Sequence, residues 1–131
     1  MKQLIVIRGV PGSGKSTLAK AIEADLCAGA TPVTILEYDD WRTENGVYEY
    51  SQEENKRIGA ACLLRATHLL KEGHTVIVAN TFIRRLHVEA YKRLARQMHV
   101  PYQEYLCLGE FLSVHGCPPN IIAAMRRQLE V

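Results

Sequence analysis

Gly9-Val10-Pro11-Gly12-Ser13-Gly14-Lys15-Ser16-Thr17 is the stretch whose reading decides the fold. It satisfies G-x-x-x-x-G-K-[ST] at every fixed position. Glycines let the backbone adopt positive φ and approach a phosphate with no Cβ in the way. The loop N–H groups then point inward, backed by the positive end of the following helix. Lys15 has the reach to meet β and γ oxygens, and the Ser16 hydroxyl is placed to ligate Mg2+. A glycine-rich turn can also do no more than join a strand to a helix, so the flanks matter. The apolar run Leu4 to Arg8 precedes the stretch, and Lys15 to Cys27 follows it with Leu18, Ile22 and Leu26 at helical spacing. This context implies a site for a nucleoside triphosphate, ATP, held by Gly9, Pro11, Gly12, Ser13, Gly14, Lys15, Ser16 and Thr17.

Outward from that loop, strand-like and helix-like runs alternate. Val33 to Tyr38, Thr75 to Ala79 and Tyr102 to Leu108 read as further strands. Ser51 with Glu54 forms a capping-box signature before a helix reaching about Glu72, with Gly73 beyond its end. Arg84 to His99 is amphipathic, with Leu86, Ala90, Tyr91, Leu94, Ala95 and Met98 on one face, and Asn120 to Glu130 reads as a last helix. The alternation predicts an α/β fold in three layers, with a mainly parallel sheet of four or five strands between helices. In such sheets the ligand crevice lies beyond the carboxyl ends of the strands.

The 131 residues, net charge of +2, 23% charged and 47% hydrophobic content describe one domain over 1–131. That balance argues against a disordered chain or a strongly basic nucleic-acid coat. The apolar runs are strand-sized, well short of the roughly 18 residues of a membrane span. The opening Met1-Lys2 leads straight into a strand with no signal-peptide layout, so a cytoplasmic location is expected. Cys27, Cys62, Cys107 and Cys117 contain no C-x-x-C pair and are expected as reduced, mostly buried thiols. His115 and Cys117 alone cannot complete a metal shell.

Beyond the second strand stands Tyr38-Asp39-Asp40-Trp41-Arg42. A carboxylate there faces the γ-phosphate, where it can accept a proton from an attacking hydroxyl or hold the metal's water. Asp39 lies nearest the strand end and Asp40 is next; both also suit a turn. The third strand carries Ala79 where many phosphate-loop proteins carry a metal-directed Asp, and Asn80 follows. Ser16 and Asp39 are therefore the expected metal residues. Arg84 and Arg85 lie near the crevice, while Tyr48 and Tyr50 can stack on a base or pack their loop.

The phosphate loop, the Asp39-Asp40-Trp41-Arg42 segment and Val76-Ile77-Val78-Ala79-Asn80-Thr81-Phe82 together resemble the P-loop kinase family that includes phage-type 5′-polynucleotide kinases. The resemblance implies a P-loop NTPase kinase core using Mg-ATP, with Asp39 as general base and Arg42 on the acceptor phosphate or the transition state. Small bacterial and phage ATP-binding proteins similar to these kinases share the Asn80-Thr81-Phe82 turn and a segment like His115-Gly116-Cys117-Pro118. The chain departs from the polynucleotide kinases over Gly109 to Pro119, eleven residues with no arginine, so the lid is expected to be reduced or absent. His115 then suits a place near the nucleotide base or a turn cap, and Arg126 and Arg127 a solvent-facing or a compensating role. The implied activity is γ-phosphoryl transfer to a hydroxyl, the 5′-hydroxyl of a polynucleotide or nucleotide before all. A small hydroxylated metabolite as acceptor, an ATP-binding module acting through a protein partner, and a simple ATPase are the alternatives.

Overall fold

The computed structural model describes residues 2–38, 52–109 and 119–130. Its first strand, β1 (Leu4–Arg8), is buried along its whole length, as its unbroken apolar run requires. Helix α1 (Lys15–Leu26) starts directly from the phosphate loop. Then follow β2 (Val33–Glu37), α2 (Gln52–Lys71), β3 (Thr75–Asn80), α3 (Glu89–Met98), β4 (Tyr102–Leu106) and α4 (Pro119–Gln128). The Ser51–Glu54 capping box lies outside the described residues. At its other end α2 stops at Gly73, whose φ of +92° lets the His74 N–H turn back to the Leu69 carbonyl at 2.9 Å.

Among the described residues all strand pairs are parallel, in the order β2-β3-β1-β4. Near the carboxyl ends of the strands, Glu37 on β2 is in register with Ala79 on β3, which is in register with Ile7 on β1. Successive residues of a strand point to opposite faces, and two cores result. On the α1 side, Ile5, Ile7, Ala19, Ile77 and Ala79 are buried, with Leu18, Ile22, Val33 and Ile35 packed against them. On the other side, Leu4, Val6, Leu36, Val76 and Val78 meet Ile58, Cys62, Ala66 and Leu70 of α2 and Tyr91 and Leu94 of α3.

Three features differ from the sequence-based expectations. The segment expected as one helix from Arg84 begins instead as a 3-10 turn, Arg85–Val88. The tighter turn rotates Leu86 out of the apolar face, leaving it 61% exposed. β4 ends at Leu106 and is largely exposed, because among the described residues it pairs only with β1. Cys27 is exposed at the end of α1, whereas Cys62 is fully buried.

Candidate functional site

The loop between β1 and α1 is built around its glycines. Gly12 has φ +80°, and Gly14, the residue capping α1, has φ +100° in the left-handed region. Gly9 is required for a different reason. A Cβ there would lie 2.8 Å from the Cys107 carbonyl oxygen and would collide with Ser13 Oγ. The loop is therefore pressed against the end of β4, an arrangement also held by the Cys107 N–H bonding to the Arg8 carbonyl at 2.7 Å.

Lys15 is buried, and its Nζ donates to the Val10 carbonyl at 3.0 Å, so the ammonium is folded back over the loop it serves. Ser13 is 4% exposed and its Oγ has no hydrogen-bond partner. A buried hydroxyl without a partner loses about 1–3 kcal/mol of hydration, which a phosphate oxygen in the loop would return. Ser16 Oγ donates to Glu37 Oε1 at 2.5 Å. Serine hydroxyl and carboxylate are the hard oxygen donors that Mg2+ takes, so the residues fit this ion. Among the described residues no group of three or more His, Cys, Asp or Glu is clustered for a metal.

At the same end of the sheet, next to the ends of β2 and β3, is a cavity of about 430 Å³. Its aromatic side is formed by Tyr38 and Phe82, whose rings meet edge to face with centroids 5.5 Å apart. Phe82, with φ +39°, also meets Tyr91 edge to face at 5.7 Å, and the Tyr38 and Tyr91 hydroxyls are 2.8 Å apart. Burial and the neighbouring Tyr38 and Cys62 hold the Tyr91 phenol far above its usual range, so it stays neutral. The polar side has Asn55, Lys56, Asn80, Thr81 and His87. Asn55 Oδ1 is buried with no hydrogen-bond partner. His87 Nδ1 accepts the Arg84 N–H at 3.2 Å, which leaves Nε2 as the protonated nitrogen. Partial burial, then the Arg84 and Arg8 charges, lower the His87 pKa and favour the neutral ring.

Arg8, only 2% exposed, joins this cavity to the loop. Its Nε donates to the Phe82 carbonyl at 2.9 Å, and its NH2 group to the carbonyls of Ile83 at 3.2 Å and Glu130 at 2.6 Å. Its other amino group lies 3.6 Å from Glu104. Nothing in the sequence marks Arg8 as more than the polar end of a strand. Glu37 is just as inconspicuous there. The available signal is its alternation with Val33 and Ile35, which places a carboxylate on their face, the α1 side.

The remaining expected site residues separate into two groups. Asp39, Asp40, Trp41, Arg42, Tyr48, Tyr50 and His115 lie outside the described residues, as does the interior of the expected lid. Arg84, Arg85, Arg126 and Arg127 are exposed. The Arg85 N–H bonds to Glu130 Oε1 at 2.9 Å, so the start of the 3-10 turn is secured by the end of the described chain.

A family described as an AAA domain matches the chain over residues 4–114. No curated protein matches it. Among solved structures, Chaetomium thermophilum Kti12 in complex with ADP-AlF3 superposes with a TM-score of 0.77 at 17% identity, over 98% of this chain and 80% of that one. A chain of the Pnkp1/Rnl/Hen1 RNA repair complex gives 0.71 at 19% identity, over 98% of this chain and 44% of that one. Mycobacterium tuberculosis APS kinase CysC in complex with AMPPNP and APS gives 0.69 at 21% identity, over 99% and 76%. The chain spans 59% of the length of another similar structure, APE1195 (TM-score 0.67, 24% identity). The parallel four-stranded sheet with flanking helices is thus the P-loop NTPase kinase fold.

Proposed function

Because the chain belongs to the AAA domain family matched over residues 4–114, we propose that it is an ATP-dependent phosphotransferase working as one domain over 1–131. The observation that carries this reading is the loop itself: left-handed Gly12 and Gly14, buried Lys15 and partnerless buried Ser13 Oγ, at the same sheet end as the cavity. The acceptor is the 5′-hydroxyl of a nucleotide or of a polynucleotide terminus. Small-molecule sites run to about 300–1,000 Å³, so the cavity of about 430 Å³ suits a single nucleoside-sized group. Tyr38 and Phe82 offer it an aromatic side, and Asn55 Oδ1 an acceptor for one N–H or O–H.

Loop N–H groups and Lys15 bind the β- and γ-phosphates and fix them for in-line attack. Asp39 takes the proton from the acceptor hydroxyl as its oxygen bonds to the γ-phosphorus and the bond to the β–γ bridging oxygen breaks. Arg42 steadies the acceptor side with paired N–H donors. Ser16, with a neighbouring carboxylate, would hold Mg2+, which when bound offsets the negative charge of the phosphates. The free thiols Cys27, Cys62 and Cys107 suit a reducing compartment such as the cytoplasm.

Radiolabelled ATP offered with nucleosides, nucleotides, 5′-hydroxyl oligonucleotides and sugars tests this. Label should move to a 5′-hydroxyl, Lys15→Ala should lose ATP binding, and Asp39→Asn should bind ATP but transfer nothing. ATP binding with no transfer to any acceptor would replace the kinase with a nucleotide-binding module, and acceptor-independent phosphate release with an ATPase.

A further inference from the structure

We propose that Glu37 supplies the carboxylate of the divalent-cation site, a role moved one strand sideways from β3 to β2; this rests on the proposed nucleotide binding. The geometry begins with register. Glu37, Ala79 and Ile7 stand side by side on β2, β3 and β1, and in parallel pairing such neighbours point to the same face. That face is the α1 side, as the packing of Ile7 and Ala79 against Ala19 shows. Neighbouring strands are about 4.8 Å apart, so a carboxylate on β2 must cross β3 to reach the start of α1. Ala79 leaves the path open, since its side chain is a single methyl group. Glu37 uses that path to accept the Ser16 hydroxyl at 2.5 Å. Its extra methylene, compared with Asp, supplies reach.

Two parts of the sequence that look unrelated are then one arrangement. A small residue on β3 and a glutamate at the same level of β2 together put one negative charge beside the loop hydroxyl. An acid at both positions would instead place two like charges side by side, which costs free energy. A serine hydroxyl that already points at a carboxylate oxygen is also preoriented, and its own lone pairs remain available to a cation.

Calorimetric titration with the ATP analogue AMPPNP, with magnesium and with the metal chelated, separates this role from a merely structural one. Magnesium should tighten binding to the wild-type protein. Glu37→Gln should bind at least as tightly as wild type without magnesium, because one negative charge beside the phosphates is gone. It should nevertheless lose about 10- to 100-fold of the magnesium-dependent gain, the usual cost of losing a group that supports a metal. Ala79→Asp placed in the Glu37→Gln background should recover the gain, because the charge returns at the same level of the sheet. The proposal is overturned if Glu37→Gln retains the full gain, or if it loses magnesium-free and magnesium-dependent affinity alike. It is also overturned if the double variant folds, judged by circular dichroism, and restores nothing. Wild-type protein that binds no AMPPNP in either condition instead refutes nucleotide binding itself.

Discussion

The α1 side of the sheet is thin and chemical, whereas the α2 and α3 side is thick and structural. On the first, Ile5, Ile7, Ile77 and Ala79 sit under α1, whose start is the phosphate loop. On the second, two helices cover the strands, and Tyr38 and Phe82, the aromatic side of the cavity, both lie against Tyr91. The comparison shows how one sheet presents two different surfaces at the same end. Strand alternation sends Glu37 to the phosphate side and its neighbour Tyr38 to the cavity side. Adjacent residues at one strand end thus address opposite halves of the site.

Variants on each side should give different signatures. The largest effect is expected at Arg8, which lies between the two halves. Arg8→Met takes a charged donor from the carbonyls of Phe82 and Glu130, whereas the Ile83 carbonyl keeps the Glu130 N–H at 2.7 Å and Glu104 keeps the Tyr102 hydroxyl at 2.8 Å. At about 1.5–3 kcal/mol for each charged hydrogen bond it should cost about 3–5 kcal/mol of stability in urea denaturation. A loss below about 1 kcal/mol would show that the two sides do not depend on this guanidinium. Lys15→Ala belongs to the phosphate side alone. It should lose ATP binding, and with it at least about 10²–10³-fold of the transfer rate, while far-UV circular dichroism stays unchanged.

The structural side should respond to alkali. Burial pushes the Cys62 thiol up to about 11, against a smaller opposing effect of its hydrogen bond with Tyr91. The folded state therefore keeps a proton that the unfolded state releases. The resulting stability is full below the usual thiol pKa and is lost as pH climbs toward about 11. Linkage puts this at about 1–3 kcal/mol. Denaturation midpoints between neutral pH and that limit should fall, and Cys62→Ala should make the fall shallower. A residual slope should remain from Tyr91, whose phenol is shifted in the same direction. The smallest effect is expected for Tyr91→Phe, which removes the 2.8 Å contact between the Tyr38 and Tyr91 hydroxyls and should cost about 1 kcal/mol. Binding of AMPPNP should not change, since that contact lies on the far side of the sheet from the phosphate loop.

Local chemistry was legible in the sequence, and long-range chemistry was not. The loop glycines, the helical spacing of Leu18 and Ile22 and the apolar strands each carry their meaning within a few residues, so the parallel layered fold followed. The turn at Arg85–Val88 did not, because its N–H groups are secured by His87 and Glu130, the latter 45 residues away for Arg85. Arg8 and Glu37 were hidden for the same reason: each looks like the polar end of an apolar strand until the sheet order gives it neighbours. The Asp39 and Arg42 roles rest on the motif, and transfer assays on Asp39→Asn test the first of them.

The partners of Arg8 lie 74, 75 and 122 residues further along the chain. During synthesis at about 5–20 residues per second, the strand feeding the phosphate loop is made early and fastened late. From Arg8 to the carbonyl of Glu130, 122 residues on, translation takes about 6–24 s at that pace. Until then the guanidinium can hold only the Phe82 and Ile83 carbonyls of these three, made 74 and 75 residues after it. The last of these bonds closes only once residue 130 has been made, so a contact on the first strand is completed by one of the last described residues.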